Sequence, residues 1–177
     1  MKRIDEAVRS FFEREEIRFE HTELPEVFKL GFVGENGCFL GYVDADEDER
    51  TIQIRTLAPV VVSRGKRSQA AELLTRINQR LVLGTLELDM DNGDIACRTS
   101  IILGESDLPH DIMEHLLYAN WCVMDRFFPA VNAVLFGNMS PKQALDRSRR
   151  RQSQPDEVTA EERLRKRLGD IRGNSMN

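Results

Sequence analysis

The sequence predicts an α+β fold that runs helix, three strands, helix, two strands, long helix, with an antiparallel sheet packed against the helices. Three observations carry this. The hydrophobic period switches from 3.6 to 2 and back twice along the chain. Asn36-Gly37 and Asn92-Gly93 each fall between alternating runs, where a tight turn needs residues that tolerate positive φ. A long apolar periodic stretch follows Asp107-Leu108-Pro109 and reaches about Phe136.

The first helix spans Ile4 to Glu16, because Ile4, Ala7, Val8, Phe11 and Phe12 recur at helical spacing with Arg and Glu between them. Two strands follow, Val27 to Gly34 and Cys38 to Ala45. Phe28, Leu30 and Phe32 alternate with Lys29 and Gly31 in the first of them. The acidic run Asp44 to Glu49 turns the chain into a third strand, Thr51 to Leu57, with Ile52 and Ile54 on one face. Val60 to Val62 extends that sheet or leads into the next helix.

Ser68 to Leu81 is the second helix, with Ala70, Leu73, Leu74, Ile77 and Leu81 as its stripe and Gly84 as a stop. The second hairpin pairs Thr85 to Met90 with Ile95 to Leu103, and Leu86, Leu88 and Met90 are expected to face inward. In the long helix Asp107 is the expected cap and Pro109 sits in the first turn. Pro129 should kink or divide that helix near Phe128, and Gly137 closes it. A short helix from Ser140-Pro141 to about Arg147, capped by Ser140, ends the expected domain, residues 1–147. Arg149 to Asp156 reads as a linker, Thr159 to Leu168 as a short charged helix and Gly173 to Asn177 as a frayed end.

The 177 residues allow one domain and a tail, and 41% hydrophobic with 31% charged residues fit a soluble globular protein. The apolar runs fall short of the roughly 18 to 20 residues of a membrane span. No apolar core of a secretory signal follows Met1 to Glu6. Cys38, Cys97 and Cys122 are scattered and odd in number, so reduced thiols and a cytoplasmic location are expected. The net charge of −5 is split: Arg147 to Asn177 holds nine Lys/Arg against five Asp/Glu, a net of +4, which leaves −9 on residues 1–146. An acidic body repels phosphates, so nucleic acid is a plausible partner for the tail rather than the domain.

Tests for chemistry come out negative. Asp44, Asp46 and Asp48 alternate like a calcium loop, but Glu49 and Arg55 stand where that loop needs Gly and a bidentate Glu. His110 and His115 are five apart, about 140° around a helix, so they do not share a metal. There is no nucleophile elbow or phosphate-binding glycine loop, and Cys122 beside Trp121 reads as a structural thiol. Catalytic residues, metal and cofactor are all expected to be absent.

The long helix carries two apolar stripes. Ile112, Leu116, Val123, Phe127, Val131 and Val134 form one; Met113, Leu117, Trp121, Met124, Phe128 and Leu135 form the other. Both suit a core. The second also suits a protein-interaction surface, where aromatic and Met residues concentrate. Arg149, Arg150, Arg151, Arg165, Lys166 and Arg167 are the expected contacts of the basic tail.

The middle of the chain resembles the YbjN family, a bacterial group similar in fold to type III secretion chaperones. The resemblance rests on Ala71 to Leu81, on Gly84-Thr85-Leu86-Glu87-Leu88-Asp89, on Asp91-Asn92-Gly93-Asp94-Ile95, on Ile102-Leu103 and on the long helix with its late Pro129. It covers roughly residues 4 to 147. It implies a domain that often dimerises, holds partner proteins non-covalently and has no catalytic residues; such proteins are described as sensory-transduction or stress-related regulators. The expected function is therefore a non-enzymatic, chaperone-like or regulatory protein-binding homodimer with a protein or peptide client. The alternative is a regulator that binds nucleic acid or an acidic partner through the tail.

Overall fold

The structure, a computed structural model, describes residues 3–152. Helix α1 (Ile4–Arg14) leads into β1 (Glu20–His21), β2 (Val27–Val33), β3 (Cys38–Asp46) and β4 (Thr51–Val61). A 3-10 turn then opens α2 (Arg67–Asn78), followed by β5 (Thr85–Leu88), β6 (Asp94–Ile102), α3 (His110–Leu135) and α4 (Pro141–Gln152). The six strands form one antiparallel sheet in the order β1-β2-β3-β4-β6-β5.

The alternation expected of half-buried strands is present. Phe28, Leu30, Phe32, Phe39, Val43, Ile52, Ile54 and Leu86 are buried on one face, where α1 lies against β3, α3 against β4 and β6, and α2 against β5. α4 packs on α2 and α3. β1 went unpredicted: two exposed residues have no periodicity, and only pairing with Phe28 and Lys29 makes them a strand. β5 stops at Leu88, so Met90 does not face inward but lies 53% exposed in the turn.

Each helix end has a local cause. α1 closes with Glu16 in the left-handed region (φ 55). The Ile17 N–H donates to the Phe12 carbonyl at 2.8 Å and the Glu16 N–H to Glu13 at 3.3 Å, a Schellman arrangement that buries Ile17. α3 starts at His110 with Pro109 as its cap residue, not at Asp107. α4 has the expected Ser140 cap, in reciprocal form: the Ser140 hydroxyl accepts the Gln143 N–H at 3.3 Å, and the Gln143 side chain accepts the Ser140 N–H at 3.1 Å. The helix then continues to Gln152, past the expected end near Arg147 and into the expected linker.

Pro129 does not divide α3, which is helical from His110 to Leu135. A proline leaves the carbonyl four residues earlier without its helical donor, here that of Asp125. The β2–β3 turn supplies the replacement, since the Asn36 side-chain amide donates to the Asp125 carbonyl at 3.0 Å. The buried Asp125 carboxylate in turn accepts the N–H groups of Asn36 (2.8 Å) and Glu35 (3.2 Å). Gly34 lets the turn come this close, because a Cβ there would stand 2.1 Å from the Asp125 carboxylate.

Candidate functional site

The second stripe of α3 is core. Met113, Leu117, Trp121, Met124, Phe128 and Leu135 are between 0 and 9% exposed. Trp121 stacks on Phe32 of β2, with centroids 4.9 Å apart and rings 2° from parallel, and Phe128 meets Phe39 of β3 edge-on at 5.3 Å. The expected interaction surface on this stripe is thereby corrected, because one wide helix buries it against the sheet while α1, α2 and α4 pack on the same helix. Of the basic residues, Arg149 on α4 lies 3.7 Å from Asp146 and Arg150 is exposed. Arg151 falls in α4, while Arg165, Lys166 and Arg167, with the expected linker end, charged helix and frayed end, lie outside the described residues.

The acidic run is a hairpin tip in which the Asp46 carboxylate accepts the Glu49 N–H at 2.8 Å. His110 is not a bare helix start; it lies 3.2 Å from Glu15 and packs on Phe11. Among the described residues no three His, Cys, Asp or Glu side chains converge where a metal ion could be held. No helix of the described residues is long and apolar enough to cross a membrane.

What remains accessible is the sheet itself. Its two edges differ. On β5 the Asn78 side chain, at the end of α2, donates to the Leu86 carbonyl and accepts the Leu86 N–H, both at 2.9 Å, and so takes the place of a strand at Leu86, which leaves Leu88 as the outward-facing residue of that short edge. On β2 the two residues of β1 pair only with Phe28 and Lys29, so that among the described residues Leu30 to Val33 are left as edge. The hairpin bond from the Gly34 N–H to Gly37 sets the alternation, so Gly31 and Val33 aim their backbone groups away from β3. A Cβ on Gly31 would meet nothing within 4 Å, and Val33 is 45% exposed. This stretch carries no charge and no proline, the usual devices that blunt an edge. The bonds from Asn36 and Glu35 to Asp125 hold it in place.

Among the described residues, nothing covers the face turned away from the helices. Register places Lys29, Tyr42, Arg55 and Arg98 in one row across β2, β3, β4 and β6. Val27, Asp44, Gln53 and Ser100 form the row on one side, and Gly31, Leu40, Leu57 and Ala96 the row on the other. A shallow depression of about 440 Å³ lies here, lined by Tyr42, Asp44, Arg55 and Glu87 among others. Partial burial, then Asp46 and Glu26, push the Asp44 carboxyl above its ordinary 3.8. Sequence reasoning passed over this face because no single strand shows it; only the register brings residues from four strands into rows.

The family model described as "Putative bacterial sensory transduction regulator", YbjN, matches residues 5–133. A crystal structure described as "YbjN, a putative transcription regulator from E. coli" superposes with a TM-score of 0.51 at 15% identity, over 75% of this chain and 90% of that one. At that identity the likeness is one of fold. Comparison with curated proteins finds no match.

Proposed function

The chain belongs to the YbjN family, and from that premise we propose that it is a non-enzymatic regulatory or chaperone-like module that binds protein partners and acts as a homodimer in the cytoplasm. The observation that supports partner binding is the half-open β2 edge. On the opposite edge Asn78 engages Leu86, the middle of the short strand β5, whereas Gly31 and Val33 offer two successive sets of outward backbone donors and acceptors along a preformed strand. An extended segment of a partner adds there as a further strand, with main-chain hydrogen bonds giving affinity and alternate side chains giving selectivity.

The test is affinity capture with the wild-type chain, Val33→Pro and Val33→Ala. The Val33 N–H points out of the sheet, so proline removes a docking donor without removing a bond to β3. A partner retained by the wild type and Val33→Ala but lost with Val33→Pro supports strand addition. Equal retention by Val33→Pro overturns it. Retention that disappears when the chain is cut after Gln152 moves binding to the basic tail. Light scattering on the full chain tests the homodimer.

A further inference from the structure

The charges on the uncovered face are not all matched among the described residues. Lys29 pairs with Glu20 at 2.7 Å and Arg98 with Glu87 at 2.6 Å, and one Asp46 oxygen caps the turn at Glu49. Two central groups are left over. Arg55 is exposed and has no hydrogen bond or ion pair among the described residues. It also faces Arg98 directly across β4 and β6, a like-charge juxtaposition that costs stability. Among the described residues Asp44 has only carboxylates, Asp46 and Glu26, as its charged influences, and no cation offsets them.

These two residues are diagonal neighbours. Asp44 pairs with Gln53, and Arg55 follows two residues on along the same strand and the same face. A diagonal step of this kind is about 7–8 Å. A cation and an anion set side by side on one face form a self-complementary pattern, since a two-fold rotation lays each upon the other. Apolar groups lie toward the margins of the same face: Leu40 and Leu57 are half-buried on one side, and Ile102, opposite Thr51, is 77% exposed on the other.

We propose that the uncovered sheet face is the homodimer interface, two copies packing face to face about a two-fold axis so that Arg55 of each pairs with Asp44 of the other. This rests on the homodimer reading above and names its surface and its occupant. The β2 edge, at the side of the sheet, stays available to a different partner.

Charge reversal gives the test, with full-chain protein and light scattering as the readout. The wild type is expected to be dimeric. Arg55→Asp sets Asp against Asp44, and Asp44→Arg sets Arg against Arg55, so each variant alone is expected to run at monomer mass. Mixed one to one they restore both attractive pairs, and dimer mass returns. That recovery also shows that both variants are folded, with circular dichroism of each as an independent check. If the wild type is dimeric and both single variants remain dimeric, this face is not the interface, although the homodimer stands. If the variants are monomeric and the mixture stays monomeric, the pairing of Arg55 with Asp44 is wrong. A monomeric wild type removes both the face and the homodimer.

Discussion

Asn36 donates its side-chain amide to the main-chain carbonyl of Asp125 at 3.0 Å, the carbonyl that Pro129 deprives of its helical donor. A hairpin turn thereby repairs a defect in a helix 89 residues further along. The repair works in both directions, because the Asp125 carboxylate holds the N–H groups of the same turn. The consequence is a β2–β3 hairpin that cannot swing away from α3, and so a rigid β2 edge.

Breaking this arrangement should be expensive. Asn36→Ala leaves a buried carbonyl without a donor and is expected to cost about 1–3 kcal/mol in urea unfolding. Asp125→Ala removes the carboxylate acceptor of two N–H groups and empties a buried site, so it should cost more than Asn36→Ala. An Asn36→Ala protein within about 0.5 kcal/mol of the wild type, the scatter of ordinary surface substitutions, would show that the proline defect is met in another way.

Glu16 is a non-glycine residue in the left-handed region at the end of α1. Its side chain is exposed, so glycine removes the steric penalty without removing a packed group. Glu16→Gly is expected to raise stability by about 1 kcal/mol, and the melting temperature of a chain this size by about 2–4 °C. Unchanged or lower melting would mean that the glycine's greater freedom in the unfolded chain cancels the gain.

The Asp89 carboxylate accepts the N–H of Asp91 at 2.7 Å and of Asn92 at 3.1 Å. The Asn92 and Asp91 hydrogen bonds hold it below the ordinary 3.8. A depressed folded value means that the charged form is stabilised by folding, so the contribution is present above the ordinary carboxyl value and is lost as pH falls through the folded one. Asp89→Asn should therefore be less stable than the wild type at neutral pH, and the gap should narrow in acid. Melting curves from pH 7 to pH 2, a range set by that ordinary value, check this; a gap that does not change with pH would place the effect in packing.

Burial pushes the Cys97 thiol up to about 12, while Cys38 is exposed. Since the thiolate is the reactive form, a thiol reagent near pH 8 should label Cys38 first and leave Cys97 unlabelled until the chain unfolds. Labelling followed by peptide mapping distinguishes the two. Rapid modification of Cys97 in the native state would show that β6 opens locally far more often than its place between β4 and β5 suggests.

Periodicity and turn chemistry were enough to find nine of the eleven elements, counting neither β1 nor the 3-10 turn, because amphipathic spacing is a local property that survives in any packing. They did not find β1, which two residues acquire only through a distant partner, nor the true length of α4. Part of the Asp125 site was legible in principle: a proline within a helix names the carbonyl four residues before it as one that needs a donor. The identity of that donor was not, since Asn36 comes from another hairpin.

The sequence by itself determined that the chain alternates helix and strand, where its hairpins turn and which residues are apolar enough to be buried. Whether the second stripe of α3 was core or surface depended on how many elements pack around one helix, and that is a property of the assembled layers. The same holds for the uncovered face and the half-open edge. Both are defined by strand order and register, which long-range hydrogen bonds decide and no short stretch of chain encodes.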